Sequence, residues 1–326
     1  MKKISIFIVI GLLITSCTNK PVNQQPLKVA AIYATPLEES WDGVIHRALL
    51  KAQQQGKITY EFVDSIQPER FEAQLRSLAG QKFDIIFGDA FSSEQVVRDV
   101  VKDYPQVKFV FGSGLGPSSP NLSVFDNWIP EPAYLAGLIA GYLTRSNMIG
   151  VVAAFDIPEV NRLINAFRMG ILEMNPQAKV RITFINSWFD PSAASEAAKS
   201  LIAGGADVIY AERDGAIDAC TEAGIPVIGN LSDQRMKSPG FVVTSVVWNM
   251  EPTVNRVIEL VRTGTFEPEN YAGWSSMAKG GAELAPYGDW DSKLDPKIKD
   301  IVAEKTEAIK SGKFRVPINE SRPVSD

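Results

Sequence analysis

The strongest constraint on this chain is a strand–helix alternation that runs twice through it in nearly the same register. In the first half, strands are expected at 29–33, 58–63, 84–87 and 107–111, with helices at 41–54, 68–80 and 93–103. In the second half, strands are expected at 149–155, 180–185, 207–210 and 226–228, with helices at 159–174, 192–203 and 215–223. Asp84-Ile85-Ile86-Phe87 aligns with Asp207-Val208-Ile209-Tyr210 at an offset of 123, and Val29 aligns with Ile149 at an offset of 120. Short strands with near-continuous hydrophobicity belong in parallel sheets covered by helices on both faces. The expectation is an α/β protein of two doubly wound parallel-sheet lobes joined by a hinge. A further strand at 242–248 and helices at 252–263 and 295–311 complete it.

Ahead of the repeat stands a different kind of segment. Lys2 and Lys3 precede an apolar run from Ile4 to Ile14, of signal-peptide length and too short to span a bilayer. Ile14-Thr15-Ser16-Cys17 resembles the bacterial lipobox, in which the cysteine is acylated and becomes the first residue after cleavage. This gives a leader at 1–16, a lipidated Cys17 and a polar tether over 17–27. The first lobe is expected at 28–145 plus about 250–270, and the second at 146–249 plus about 271–326. The body would sit outside the cytoplasmic membrane or in the periplasm, held by its lipid.

Removing Lys2 and Lys3 takes 33 basic residues to 31 against 38 acidic ones, a net charge of −7. With no basic stripe, nucleic acid is not an expected partner. No metal-binding histidine pair, Cys-x-x-Cys or phosphate loop is present, so no metal, cofactor or catalytic group is expected and the chain does not read as an enzyme. Gly112-Ser113-Gly114-Leu115-Gly116 is followed by Pro117 where a dinucleotide site needs a helix. Asp89, Glu94, Asp156 and Glu159 read as helix caps and solvated loop charges. Cys220 reads as a core thiol and His46 as a surface or packing residue.

Sheets of this kind bind ligands beyond the carboxyl ends of their strands. The loops there carry Trp41, Phe91, Trp188, Phe189 and Trp248, with Asp42, Asp190, Asp214 and Asp233 among them. Rings for stacking and carboxylates for accepting edge hydrogen bonds suit a flat heteroaromatic ligand. These nine are the candidate binding residues.

Glu131-Pro132-Ala133-Tyr134-Leu135-Ala136-Gly137 resembles the Glu-x-x-Tyr-Leu-Ala-Gly signature of the basic membrane protein (BMP) family of lipoproteins. Trp188-Phe189-Asp190-Pro191, the run from Ile228 to Gln234, and Ser245-Val246-Val247 resemble the same family, so that the likeness covers 28–313. It implies a type I periplasmic-binding-protein fold and a partnership with the membrane permease of an ABC importer of nucleosides or purine bases. The sequence departs from the nucleoside-binding pattern at Trp41-Asp42, where Phe-Asn is usual, at Trp248, where lysine is usual, and at 230–234, which keeps only the second aspartate. The run from Asn186 to Pro191 is similar to the branch associated with purine bases. The expectation is therefore capture of a purine base or similar planar heterocycle. The alternatives are a nucleoside or flavin ligand, or a ligand-sensing receptor in place of a transport component.

Overall fold

A computed structural model describes residues 25–118 and 120–326 of the 326-residue chain. The expected leader, Cys17 and most of the tether lie outside the described residues. The first sheet contains β1 (Leu27–Ile32), β2 (Ile58–Val63), β3 (Ile85–Asp89), β4 (Lys108–Gly112) and β5 (Leu122–Phe125). It runs β2-β1-β3-β4-β5 and is parallel throughout. Helices α1 (Ser40–Gln54), α2 (Pro68–Gly80) and α3 (Glu94–Asp103) connect its strands.

The second sheet repeats that order with β6 (Met148–Ala153), β7 (Lys179–Phe184), β8 (Val208–Ala211), β9 (Val227–Leu231) and β10 (Val242–Trp248). It adds β11 (Ala282–Leu284), which is antiparallel to β10, to give β11-β10-β9-β8-β6-β7. The remaining helices are α4 (Pro130–Leu143), α5 (Pro158–Met174), α6 (Pro191–Ala203), α7 (Ala216–Ala223), α8 (Glu251–Thr263) and α9 (Pro296–Lys310). None of the helices among the described residues is long and apolar enough to cross a membrane.

The sequence repeat is also a repeat of strand register. Val29 pairs with Ile85 in the first sheet, and Ile149 with Val208 in the second. The aspartates that mark the alignment do the same work. Asp84 accepts from the Lys28 amide at 2.7 Å, and Asp207 accepts from the Arg145 and Ser146 amides at 2.6 and 2.7 Å. Each carboxylate thus holds the chain entering the first strand of its own sheet.

Two helical layers cover each sheet, as strands apolar on both faces require. Phe71, Leu75, Val97 and Val100 of α2 and α3 fill one face of the first sheet. Ala194, Ala198, Ile217 and Cys220 of α6 and α7 fill one face of the second. The inner faces of both sheets share a continuous core that includes Ile45 and Leu49 of α1 and Ile164 and Phe167 of α5. Cys220 is a buried free thiol, pushed up to about 12 by burial. His46 packs edge-on or tilted among Tyr33, Tyr60 and Phe62, with Nδ1 3.0 Å from the Tyr60 hydroxyl.

Helix α4 was not legible in the repeat. It is buried on nearly every side and so lacks the polar face that gives a helix its period. It lies along α5, and a Cβ at Gly137 would overlap the Phe167 carbonyl oxygen. Other residues of its Glu131–Gly137 motif are tethers: Glu131 accepts from the Met277 amide at 2.7 Å, and the Tyr134 hydroxyl donates to Glu173 at 2.7 Å. Beside it, one buried hydroxyl joins three connecting segments. Ser275 accepts from Trp248 Nε1 at 2.9 Å and donates to the Asp126 carbonyl at 2.6 Å.

Candidate ligand-binding site

A cavity of about 240 Å³ lies at the carboxyl ends of both sheets. From the first lobe come Ala34, Thr35, Glu39, Trp41, Asp42, Asp89, Phe91, Ser92 and Ser113; from the second come Glu159 and Trp188. The start of α1 forms its floor. Glu39 caps that helix, its Oε2 accepting from the Trp41 and Asp42 amides at 2.8 and 3.0 Å. The Trp41 ring then lies across Gly112, where any Cβ would overlap it, and packs on Phe125 and Trp248 at centroid distances of 5.7 and 5.2 Å. The opposite wall is Trp188, whose ring meets Phe91 edge-on at 4.9 Å and Phe155 at 4.9 Å.

The lobes touch across this cavity through polar bonds as well. Arg213 reaches Glu39 at 3.1 Å, Ser40 donates to Asp214 at 2.7 Å, and Ser113 donates to Glu159 at 3.2 Å. Ser113 sits at φ 54°, a left-handed conformation unusual for a side chain larger than glycine and often tied to a functional position. Arg213 is fixed on all sides, by Glu212 at 2.8 Å, by the Trp188 carbonyl at 3.0 Å, and by lying 5.5 Å from the Trp188 ring centre.

The electrostatics are those of carboxyls short of partners. Burial, then the nearby charges of Glu39 and Asp89, raise Asp42 well above the usual carboxylate range. Burial raises Asp89 to about 7, with Glu39 and Asp126 adding to it. Glu159 is raised well above its ordinary value by burial and then by Asp126 and Asp89. Asp42 Oδ2 accepts from the Thr35 amide and hydroxyl at 3.2 and 2.5 Å, but its Oδ1 is buried with no partner. The buried Nε1 of Trp41 has none either.

Of the nine candidate residues, Trp41, Asp42, Phe91 and Trp188 line the cavity together. The other five stand elsewhere. Asp190 is an exposed cap of α6, accepting from the Ala193 amide at 2.9 Å. Asp214 is committed to Ser40, Gln234 and Lys237. Asp233 is exposed, pairs with Arg235 at 2.6 Å and, with Trp248, borders a separate cavity behind α1. Trp248 supports Trp41 from beneath, and Phe189 is half-buried outside the lining. The 230–234 motif is scaffolding: Asn230 donates to Glu212 Oε1 at 3.3 Å, and Gln234 donates to Asp214 at 3.0 Å.

The reading of Asp89 and Glu159 as caps and solvated charges is corrected here, since both face the cavity. It holds for Glu94, paired with Arg98 at 2.6 Å, and for Asp156, which bonds Asn161 and Arg322. Glu39 and Ser113 were missed outright. Glu39 looked like one of two acids in a polar loop, and nothing in its local sequence marks it as facing inward.

Comparison with known proteins points one way for the family. The family described as ABC transporter substrate-binding protein, PnrA-like, matches residues 28–314. It is a family of solute-binding proteins, not of enzymes. A Haloferax volcanii protein named for ABC transporter glucose binding is 32% identical over 251 residues, spanning 76% of this chain. That match covers 63% of the Haloferax protein, less than two thirds of its length. A purine-binding protein of Brucella abortus is 31% identical over 246 residues, 74% of this chain and 68% of its own. An ABC transporter solute-binding protein from Aeropyrum pernix superposes with a TM-score of 0.76 at 18% identity, covering 90% of this chain and 94% of that one, a likeness of fold.

Proposed function

The chain belongs to the PnrA-like family of ABC transporter substrate-binding proteins, and from that premise we propose that it captures a purine base or similar planar heterocycle for import. The observation that carries the reading is the aromatic slot: Trp41 and Phe91 of one lobe and Trp188 of the other line one cavity whose polar groups are mostly carboxylates. Base faces stack on such rings, and ring N–H and amine edges donate to such oxygens. The volume, about 240 Å³, lies just below the roughly 300–1,000 Å³ of pockets for drug-sized molecules. It suits a base better than a flavin. The partner would be a membrane permease and its ATPase, and the protein would be tethered outside the cytoplasmic membrane by acylated Cys17.

The Haloferax and Brucella relatives carry different ligand names, glucose and purine. A sugar is the second reading, because hydroxyls also donate to carboxylates and sugar faces also stack on tryptophan. Calorimetric titration of refolded protein with adenine, guanine, hypoxanthine, their nucleosides and D-glucose separates the two. Trp188→Ala is the companion variant, since Trp41 also supports the core. The purine reading expects one-to-one binding of a base, weakened at least about tenfold in the variant, as loss of a 1–3 kcal/mol stack requires. Heat with glucose alone would replace the base by a sugar.

A further inference from the structure

The cavity holds more carboxyl groups than a neutral base can use. Glu39, Asp42, Asp89 and Glu159 line it, and among the described residues no lysine, arginine or histidine does. The carboxylates just behind them, Asp126 and Glu212, face Arg162 and Arg213. Both guanidiniums are already spent: Arg162 binds Asp126 at 2.6 Å, and Arg213 binds Glu212 at 2.8 Å and Glu39 at 3.1 Å. Asp42, Asp89 and Glu159 make no ion pair among the described residues.

Two buried atoms of the residues on the cavity wall have no hydrogen-bond partner. Asp42 is only 2% exposed, and its Oδ1 has no hydrogen-bond partner. Trp41 Nε1, on the same wall, has none either. Uncompensated carboxylates in a closed site are costly, and either protons or a positive ligand must offset them. The rings of Trp41, Phe91 and Trp188 add to the attraction for a cation, because aromatic faces are electron-rich. Among the described residues no group of acidic, histidine or cysteine side chains is arranged to hold a metal ion. Protons keep Asp42, Asp89 and Glu159 neutral to higher pH than usual, and a cationic organic ligand takes the protons' place.

We propose that the cavity selects the cationic form of its ligand, a planar nitrogen heterocycle with a positively charged ring, over the neutral counterpart. This rests on the slot being one for planar heterocycles. The test uses two pairs that differ by one N-methylation, which fixes the charge. One pair is 9-methyladenine and the cation made from it by methylating N7; the other is nicotinamide and its N-methylated cation. Refolded wild-type protein is titrated calorimetrically with all four, and with putrescine and D-glucose. The expected result is that in at least one pair the cation binds at least about tenfold tighter, and that Asp42→Asn and Glu159→Gln each narrow that ratio. Equal or tighter binding of the neutral member in every pair that binds would overturn the charge selection and leave the heterocycle reading standing. Binding of putrescine or glucose with neither pair would overturn the heterocycle reading and the proposal with it.

Discussion

Arg213 places its Nη1 3.1 Å from Oε1 of Glu39, and the two residues come from different lobes. Both side chains are 4% exposed, so this pair closes over itself, not over solvent. Arg213→Met would leave Glu39 and Glu212 buried without their guanidinium. Breaking a buried pair from one side costs about 3–5 kcal/mol, and the part borne by Glu39 falls on the closed arrangement. The expected outcome is ligand affinity reduced at least about tenfold, read by calorimetry against the ligand that the wild type binds. Unchanged affinity would mean that the pair does not hold the lobes together.

A second expectation concerns pH. Asp89, raised to about 7 by burial and by Glu39 and Asp126, binds its proton more tightly folded than unfolded. Asp42 and Glu159, which line the same cavity, are raised in the same sense, and Arg162 only partly opposes this at Glu159. The folded state then holds more protons than the unfolded one between the ordinary carboxylate range and about pH 7. Stability therefore falls as pH rises through that window and levels off above it. Ligand-free protein should melt higher near pH 5 than near pH 8. Asp89→Asn should raise the melting temperature at pH 8 by at least about 2 °C. A melting temperature that climbs steadily from pH 5 to 8, unaltered by Asp89→Asn, would contradict the assignment.

The contact between α4 and α5 gives a third. Gly137→Ala forces a methyl group into the Phe167 carbonyl. Overpacking of this kind costs about 1–3 kcal/mol, so the melting temperature should drop by roughly 2–4 °C per kcal/mol. Affinity for ligand should hold, because Gly137 lines no part of the cavity. Circular dichroism melts with parallel titrations separate the two effects.

Those residues also show what a sequence displays and what it hides. Val29, Ile85, Ile149 and Val208 announced both sheets, because parallel strands covered on two faces must be apolar throughout. The same logic hid α4, which is apolar for its own reason of burial between layers. β11 was also unannounced: three residues pairing antiparallel to β10 are too short to show a pattern. At the site, the aromatic residues were legible because tryptophan at a strand end is rare and bulky. Of the carboxylates only Asp42, beside Trp41, was legible, because Glu39 and Asp89 look in sequence like any loop acid. Whether such a group faces water or a cavity is decided by the opposing lobe. Asp190, Asp214 and Asp233 show the converse, being loop acids taken up by a helix cap, a lobe contact and an adjacent arginine.

The proposed lipid anchor rests on the sequence Ile14-Thr15-Ser16-Cys17. Cys17→Ser should abolish incorporation of labelled fatty acid and release the protein from the membrane fraction. A variant that still takes up label and sediments with membranes would contradict the lipid anchor.

Weighing what the protein carries shows whether the cavity between Trp41 and Trp188 holds a planar nitrogen heterocycle. Protein isolated from its own cells, without added ligand, is measured intact by native mass spectrometry and again after denaturation. The account expects a one-to-one complex that releases a molecule with the mass and ultraviolet absorbance of a purine base or similar heterocycle, and loss of that complex in Trp188→Ala. Release of a hexose, or of a compound without aromatic absorbance, would contradict it.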